Sequence, residues 1–575
     1  MKKLFLLVAL IVLGCKTHTK KTEKEADYSV ATYYNKTETT IRMRDGIQLH
    51  TTIYSPRDTT KTYPILLQRT PYSCRPYGKD SYRKAIGPNE KMMKEGNIIV
   101  YQDVRGRWNS EGIYDNVRAY IPDKQGTQTD ESSDTYDTIA WLVENIPHNN
   151  GNVGIWGISY PGFYATCSLL DAHPALKAVS PQACIGDFFF DDFHHNGAYL
   201  LSYWIATSAF GYMKDTPTTE RWYKLPDIGT KDHYQFFLDA GPLSNLDRFY
   251  KEDNVFWEQL KAHPNYDEFW QSRNIVQHLE NIKPATMIVG GLFDAEDLYG
   301  PLETYKNIEA RSSNYNTIVM GPWSHGDWAR KKGRQAVGNV YFGDNISKFY
   351  QDTIETVFFN HFLKGNATAN ITLPEAYIFD TGKHTWQTFD QWPPENISKK
   401  SFQLGKDQKL SQAMTREFSF QEFTSDPNKP VPHSETIQLG FTPRKYMTDD
   451  QRFAARRPDV LIFETEVLEE DLTLAGDIMA NLKVSTTGTD ADWIVKIIDV
   501  FPTDAEDYEE TQKRLKMSNY HMMVRSEVMR GRFRNSFTTP EPFTPDKITD
   551  VTIKLQDVLH TFKKGHKIQV QVQST

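Results

Sequence analysis

Up to about residue 365, short apolar runs alternate with stretches of helical periodicity. Pro64-Ile-Leu-Leu-Gln-Arg-Thr70, Asn97-Ile-Ile-Val-Tyr-Gln-Asp103 and the segment around Val153, Ile155 and Trp156 have the length and apolar density of buried strands. Leu176-Lys-Ala-Val-Ser180, Ala285-Thr-Met-Ile-Val-Gly290 and Asn316-Thr-Ile-Val-Met320 repeat the pattern. Between them, Tyr136, Ile139, Ala140, Leu142 and Val143 recur at helical spacing within Ser132 to Asn145. Tyr160 to Leu170 reads as another helix, with small and apolar residues on its inner face. Residues 29 to 62 read as strands around a turn at Arg44-Asp-Gly46. Strands alternating with helices predict a mostly parallel α/β sheet.

The connection from the strand at 176 to the strand at 285 is far longer than an ordinary βα loop. It is dense in aromatic residues, among them Phe188-Phe-Phe190, Tyr203-Trp204, Phe236-Phe237, Phe256-Trp257 and Phe269-Trp270. A helical cap over the sheet's active edge, about 187–284, is the expectation, with the aromatic residues forming its core. After a helix at about 347 to 364 the texture changes to short alternating runs with Gly, Pro, Asp and Thr between them. Val460-Leu-Ile-Phe463, Ala480-Asn-Leu-Lys-Val484 and Trp493-Ile-Val-Lys-Ile-Ile498 are examples. This predicts a β-sandwich of the jelly-roll kind over 366–575, the boundary falling near Gly365. The sequence stops at Gln569-Val-Gln-Val-Gln-Ser-Thr575 in what reads as mid-strand, so a further segment is expected beyond it.

At 575 residues the chain is long enough for two or three domains. A formal net charge of −8, with no basic block, argues against a nucleic-acid partner. Met1-Lys2-Lys3 followed by apolar Leu4 to Gly14 is too short to span a bilayer and reads as an export signal. It runs into Val-Leu-Gly-Cys15, which resembles a bacterial lipobox; the alternative is a plain signal peptide with a chance cysteine. The expectation is a signal over 1–15, a lipidated Cys15, a tether over 16–28, and an envelope protein held to a membrane by lipid. Cys74, Cys167 and Cys184 are too few and too scattered for a disulfide framework. No Cys/His cluster has zinc spacing, and neither a metal nor a cofactor is implied.

Gly157-Ile-Ser159 sits between a predicted strand and a predicted helix, where a sharp turn would lift a serine hydroxyl above the sheet. The usual second glycine is shifted by one, to Gly162 behind Pro161. Downstream, one strand ends in Gly290-Gly-Leu-Phe-Asp294 and the next in Gly321-Pro-Trp-Ser-His325. Serine, acid and histidine thus follow in the chain order of an α/β-hydrolase, each at a strand end. Ser159 is read as nucleophile, His325 as base and Asp294 as the group that orients the imidazole. An oxyanion needs donors: the backbone N–H of Tyr160 is one, and the Tyr72 hydroxyl is a second candidate, an ordinary packed tyrosine being the alternative.

Arg69-Thr-Pro-Tyr72, Asp103-Val-Arg-Gly-Arg-Trp-Asn-Ser-Glu-Gly112, Gly157-Ile-Ser-Tyr-Pro-Gly162 and Gly321-Pro-Trp-Ser-His325 resemble motifs of the cocaine-esterase/Xaa-Pro dipeptidyl-peptidase superfamily of serine hydrolases. Asp294-Ala-Glu-Asp297, Asp191-Asp192-Phe-His194 and Met529-Arg-Gly-Arg-Phe-Arg-Asn-Ser536 resemble most closely the α-amino-acid ester hydrolases and related acylases. The resemblance implies an α/β-hydrolase domain, a helical cap and a jelly roll. It also implies small ester, amide or short-peptide substrates, and admits self-association, since relatives form tetramers. It further implies that Asp192, Glu296 and Asp297 bind the substrate's α-ammonium, where the residues alone leave Asp294 to Asp297 open to reading as the start of a helix. Simple esterases, glutaryl acylases and Xaa-Pro dipeptidyl-peptidases are the sister activities; a non-catalytic glycan-binding lipoprotein is the reading from another class, and the intact triad speaks against it.

Overall fold

The computed structural model describes residues 28–250, 253–330, 333–365, 373–413, 418–437, 444–509 and 515–575. Cys15, the signal segment and the tether to residue 27 lie outside these residues.

Ten strands form one sheet: β1 (Tyr34–Arg42), β2 (Gln48–Pro56), β3 (Tyr63–Thr70), β4 (Ile98–Asp103), β5 (Asn149–Ser159), β6 (Leu176–Cys184), β7 (Ala285–Gly291), β8 (Asn316–Gly321), β9 (Ala376–Asp380) and β10 (Thr385–Phe389). Their spatial order is β1-β2-β4-β3-β5-β6-β7-β8-β9-β10. From β4 to β9 every neighbouring pair is parallel, and antiparallel strands flank this block at both edges. Every residue of β4, β7 and β8 is buried, as expected of parallel strands covered on both faces. Helices α1 (Glu131–Asn145), α2 (Tyr160–Cys167) and α3 (Tyr299–Arg311) follow β4, β5 and β7. Because the strands run in one direction, the segments after Thr70, Ser159, Gly291 and Gly321 leave the sheet at one edge.

The segment from Asp187 to Pro284 is an insertion of short helices, including Thr207–Gly211, His233–Ala240 and Val255–Ala262. Phe188, Phe189, Tyr203, Trp204, Phe256, Trp257 and Trp270 are buried in it, which is the cap core expected from its aromatic content. Cys74, Cys167 and Cys184 are buried free thiols.

The C-terminal part is a β-sandwich. Its larger sheet takes β11 (Val460–Glu464), β13 (Asp492–Val500), β14 (His521–Arg530) and β16 (Lys567–Gln573), in the order β11-β16-β13-β14. Its partner pairs β12 (Leu472–Val484) with β15 (Thr549–Phe562). Val495, Val524, Val551, Ile553, Leu555 and Phe562 fill the space between them. Two strands beyond the expected boundary near Gly365 join the large sheet: β9 pairs with β8 and carries β10, so these strands close its edge. Periodicity shows that a strand exists but not which sheet receives it.

Candidate active site

Ser159 ends β5 and caps α2 with φ 68° and ψ −131°, a conformation that costs a non-glycine residue about 1–3 kcal/mol. The surroundings enforce it. A Cβ on Gly157 would lie 2.1 Å from the Pro161 carbonyl oxygen, and one on Gly162 would lie 2.6 Å from that of Gln182. Both glycines are therefore required by close backbone approach, and the displaced second glycine is explained. Pro161 stands in the first turn of α2, where its missing N–H costs no hydrogen bond.

Asp294 and His325 follow β7 and β8, which are neighbours in register. His325 Nδ1 lies 2.9 Å from Asp294 Oδ2 and 3.2 Å from Oδ1. The His325 carbonyl accepts hydrogen bonds from Arg330 and Arg444, so the backbone behind the imidazole is held as well. Neither arginine was visible as a site residue in the sequence, because each acts on main chain across a loop.

Tyr72 and Tyr160 divide their labour differently. The Tyr160 side chain is buried and committed: its hydroxyl accepts from Val117 N–H at 2.7 Å and donates to Asn116 at 3.2 Å. What it can offer a substrate is its backbone N–H, which the first turn of a helix leaves without an intrahelical partner. Tyr72 is 48 % exposed, its ring tilted against that of Phe210 in the insertion. Burial of its hydroxyl and the charge of Asp192 hold its pKa well above the usual value, and the nearby Ser159 hydroxyl offsets this only in part. Tyr72 thus stays a protonated donor beside the serine. Its loop is pinned from below: Trp108 Nε1 donates to the Pro71 carbonyl at 2.8 Å, and Asp103 accepts from Cys74 N–H at 2.8 Å.

The carboxylates around His325 are crowded and poorly compensated. Asp294 Oδ1 accepts the backbone N–H groups of Glu296 and Asp297 at 2.9 and 3.2 Å, folding the loop back on itself. Glu296 reaches within 3.7 Å of His325 Nε2, and Asp297 within 3.9 Å of Nδ1. Asp297 is buried, and neither of its oxygens receives a hydrogen bond. Asp192 has a left-handed backbone, φ 59°, and its N–H donates to the Glu296 carbonyl at 3.2 Å. Burial, then mutual repulsion, push the Asp192 and Asp297 carboxyls well above the ordinary range. Burial pulls the His325 imidazole down, but Asp294 and Glu296 outweigh it and raise its pKa to about 9.

The helix-cap reading of this acidic stretch does not hold. The helix begins at Tyr299, its N-cap Leu298 supplies no side-chain bond, and Gly300 N–H is taken by Asp191 at 3.0 Å. Asp191 also accepts from Gly186 and Asp187, so it is the structural member of its pair. None of these backbone N–H groups goes to the Asp192 carboxyl.

The profile of the X-Pro dipeptidyl-peptidase (S15) family matches residues 45–327, and that of the X-Pro dipeptidyl-peptidase C-terminal non-catalytic domain matches residues 370–575. The chain belongs to this family. It is a serine hydrolase, similar to the cocaine esterase of Rhodococcus sp. (strain MB1 Bresler) at 26 % identity over 96 % of this chain and 92 % of that one. Two solved structures are similar over nearly the whole length. An aminopeptidase from a marine sediment Thaumarchaeota archaeon is 34 % identical, covering 96 % of this chain and 91 % of that chain, with a TM-score of 0.86. An α-amino acid ester hydrolase is 32 % identical, covering 98 % and 92 %, also with a TM-score of 0.86.

Proposed function

We propose that this serine hydrolase cleaves α-amino acyl esters or amides through an acyl-enzyme on Ser159. Ser159 Oγ attacks the acyl carbonyl while His325 Nε2 accepts its proton, and Asp294 fixes the tautomer through Nδ1. The Tyr160 N–H and Tyr72 hydroxyl donate to the oxyanion. Collapse expels the alcohol or amine, which takes the proton from His325. Water, or another acceptor nucleophile, then repeats the cycle in reverse and frees the acid or the transferred product.

One observation carries the substrate assignment. Three acids, the buried Asp192 and Asp297 and the half-buried Glu296, gather around the imidazole, and Asp297 has no donor for either oxygen. Ionised together they repel, and a cation among them removes that cost. A protonated α-amino group lies one carbon from the carbonyl that Ser159 attacks, so it satisfies both requirements. An aminopeptidase is among the similar structures, and a peptide's free N-terminus would use the same acids.

The test compares phenylglycine methyl ester with its N-acetyl form. We expect a preference for the free amine of at least about tenfold in kcat/KM, largely lost in Glu296→Gln and Asp297→Asn. Equal rates on both esters in the wild type would reject the ammonium site and leave a general esterase or acylase. Aminoacyl and Xaa-Pro anilides assayed in parallel separate the ester from the peptide reading. Export and lipid anchoring at Cys15 are part of the proposal: Cys15→Ala should release the protein from the membrane fraction, and equal fractionation would refute the anchor.

A further inference from the structure

Strand β14, in the domain matched as non-catalytic, touches both loops that carry the acids. It is the last strand of its sheet, with one side paired to β13 and the other bridged to Asp450 at Met522 and met by the Asn196 turn at Val528 and Arg530. Arg525 and Glu527 lie two residues apart on it, and both are buried. Arg525 spans the domain junction with its full fork: Nη1 donates to the Leu292 carbonyl at 2.9 Å, Nη2 to that of Asp557 at 2.9 Å and Nε to that of Gln556 at 3.2 Å. Leu292 is two residues before Asp294 and belongs to the turn that delivers Asp294, Glu296 and Asp297.

Glu527 holds the other loop. Its Oε1 accepts Val528 N–H at 2.8 Å and sits 3.2 Å from His195 Nδ1. His195 belongs to a small hairpin in which His194 pairs with Tyr199 and His195 with Ala198, around a turn at Asn196-Gly197. Both turn residues have positive φ, 45° and 82°, as a tight two-residue hairpin turn requires. The turn docks on the open edge of β14: Asn196 Nδ2 donates to the Val528 carbonyl at 2.9 Å, and Arg530 N–H donates to the Asn196 carbonyl at 3.2 Å. A Cβ on Gly197 would fall 2.1 Å from the Phe533 ring, so the approach has no slack. Asp192 stands two residues before this hairpin.

We propose that β14 sets the spacing between the two acid loops, with Arg525 and Glu527 as positioning residues for Asp192, Glu296 and Asp297. The inference rests on the ammonium-site reading for its substrate consequence. The mechanical part stands apart from it: one rigid strand grips the Asp294 loop through Arg525 and the Asp192 loop through Glu527 and the turn. A displacement of about 1 Å between groups that must bind one cation is enough to cost one to two orders of magnitude.

The test uses Glu527→Ala, Glu527→Gln and Arg525→Lys, with thermal unfolding to show that each is folded. The amide oxygen introduced by Glu527→Gln still accepts a hydrogen bond from His195 Nδ1, so this variant is the rescue arm. In Glu527→Ala we expect KM for phenylglycine methyl ester to rise about tenfold with kcat within about twofold, the N-acetyl ester to be unaffected, and Glu527→Gln to stay near wild type. A second readout needs no amine: the pH dependence of fluorophosphonate labelling of Ser159. The groups facing His325 are Asp294, Glu296, Asp297 and Asp192, with Arg330 and Arg444 near Glu296. Moving the acids should shift that labelling limb by at least about half a unit in Glu527→Ala and Arg525→Lys. A shifted limb in a wild-type enzyme indifferent to N-acetylation would keep the positioning role and reject the ammonium. Folded variants with an unchanged limb and an unchanged ester ratio would overturn the proposal and leave β14 as a domain fastener.

Discussion

Two clusters of buried charge lie under the same sheet edge and are built on opposite plans. Beneath β3, Arg69, Arg105 and Arg118 meet Glu131, Asp134 and Asp45, three charges of each sign. Arg69 lies 3.0 Å from Glu131 and 3.6 Å from Asp134, and Arg105 lies 2.7 Å from Asp134 and 2.6 Å from Asp45. Gln102, Thr135 and the Glu131 carbonyl take more of the Arg69 donors. Around His325, Asp294, Glu296 and Asp297 share one imidazole, the charge of Asp192 adds to theirs, and neither Asp297 oxygen receives a hydrogen bond. The first cluster is balanced within the chain, as a cluster that serves folding must be. The second is balanced by holding protons on its acids or by taking a cation from outside. Charge arithmetic, more than burial, distinguishes framework from site.

The comparison can be broken in several ways, beginning with the largest effect. Ser159→Ala should lower kcat by about three to six orders of magnitude with the fold intact, because the acids bind but do no chemistry alone. Near-wild-type turnover in a purified preparation would remove Ser159 from the mechanism. Asp134→Ala should cost about 3–5 kcal/mol of stability by taking from two buried guanidinium groups the carboxylate they share, measured by denaturant unfolding, while the folded fraction keeps its kcat. A stability loss no larger than that of a surface variant would show that the first cluster is not a balanced unit.

Removing a charge from the second cluster should act the other way. Asp297 has a folded pKa raised above its unfolded value, so the native state holds a proton that the unfolded chain has released. Stability then falls as pH rises above about 4, and the penalty is greatest when Asp297 is forced to ionise. Asp297→Asn should therefore raise the Tm by about 1–2 °C at pH 8, with the gain fading near pH 4. A loss of Tm at pH 8 would mean the carboxylate is satisfied by the protein after all.

The smallest effect concerns His325, whose folded pKa is raised to about 9. Its stabilising share is complete below about pH 6.5 and is lost as pH climbs to about 9. The free enzyme accordingly should label with fluorophosphonate faster as pH rises toward about 9, since the base must be neutral. A bound cationic inhibitor offsets the acids and should move that limb to lower pH. A limb that ignores such an inhibitor would separate the acids from the imidazole.

Much of this was legible in the sequence because it rests on local rules. The strand ending at Ser159, the helix over Glu131–Asn145, and the serine, acid and histidine at successive strand ends follow from periodicity and glycine placement. What escaped was pairing across distance. Nothing local says that Ala376–Asp380 adds to the hydrolase sheet, or that Arg525 bonds the Leu292 carbonyl 233 residues away. The division between Asp191 and Asp192 was equally hidden, since adjacent acids differ only in which backbone N–H groups surround them. A signal for β14 did exist. Arg525 and Glu527 alternate onto one face with Met523 and Met529, and charge on a buried face asks for a partner.

The position of β16 has a consequence for synthesis. Lys567–Gln573 lies inside its sheet, hydrogen-bonded on one side to Val460–Glu464 and on the other to Asp492–Val500. Those two strands leave the ribosome first and have no direct pairing with each other. They must wait, with exposed edges, until residues 567–573 emerge and slide between them. The hydrolase sheet can assemble while translation continues, but its outer acid loops acquire the grip of β14 only when the sandwich closes, so catalytic competence should lag behind the synthesis of residues 567–573.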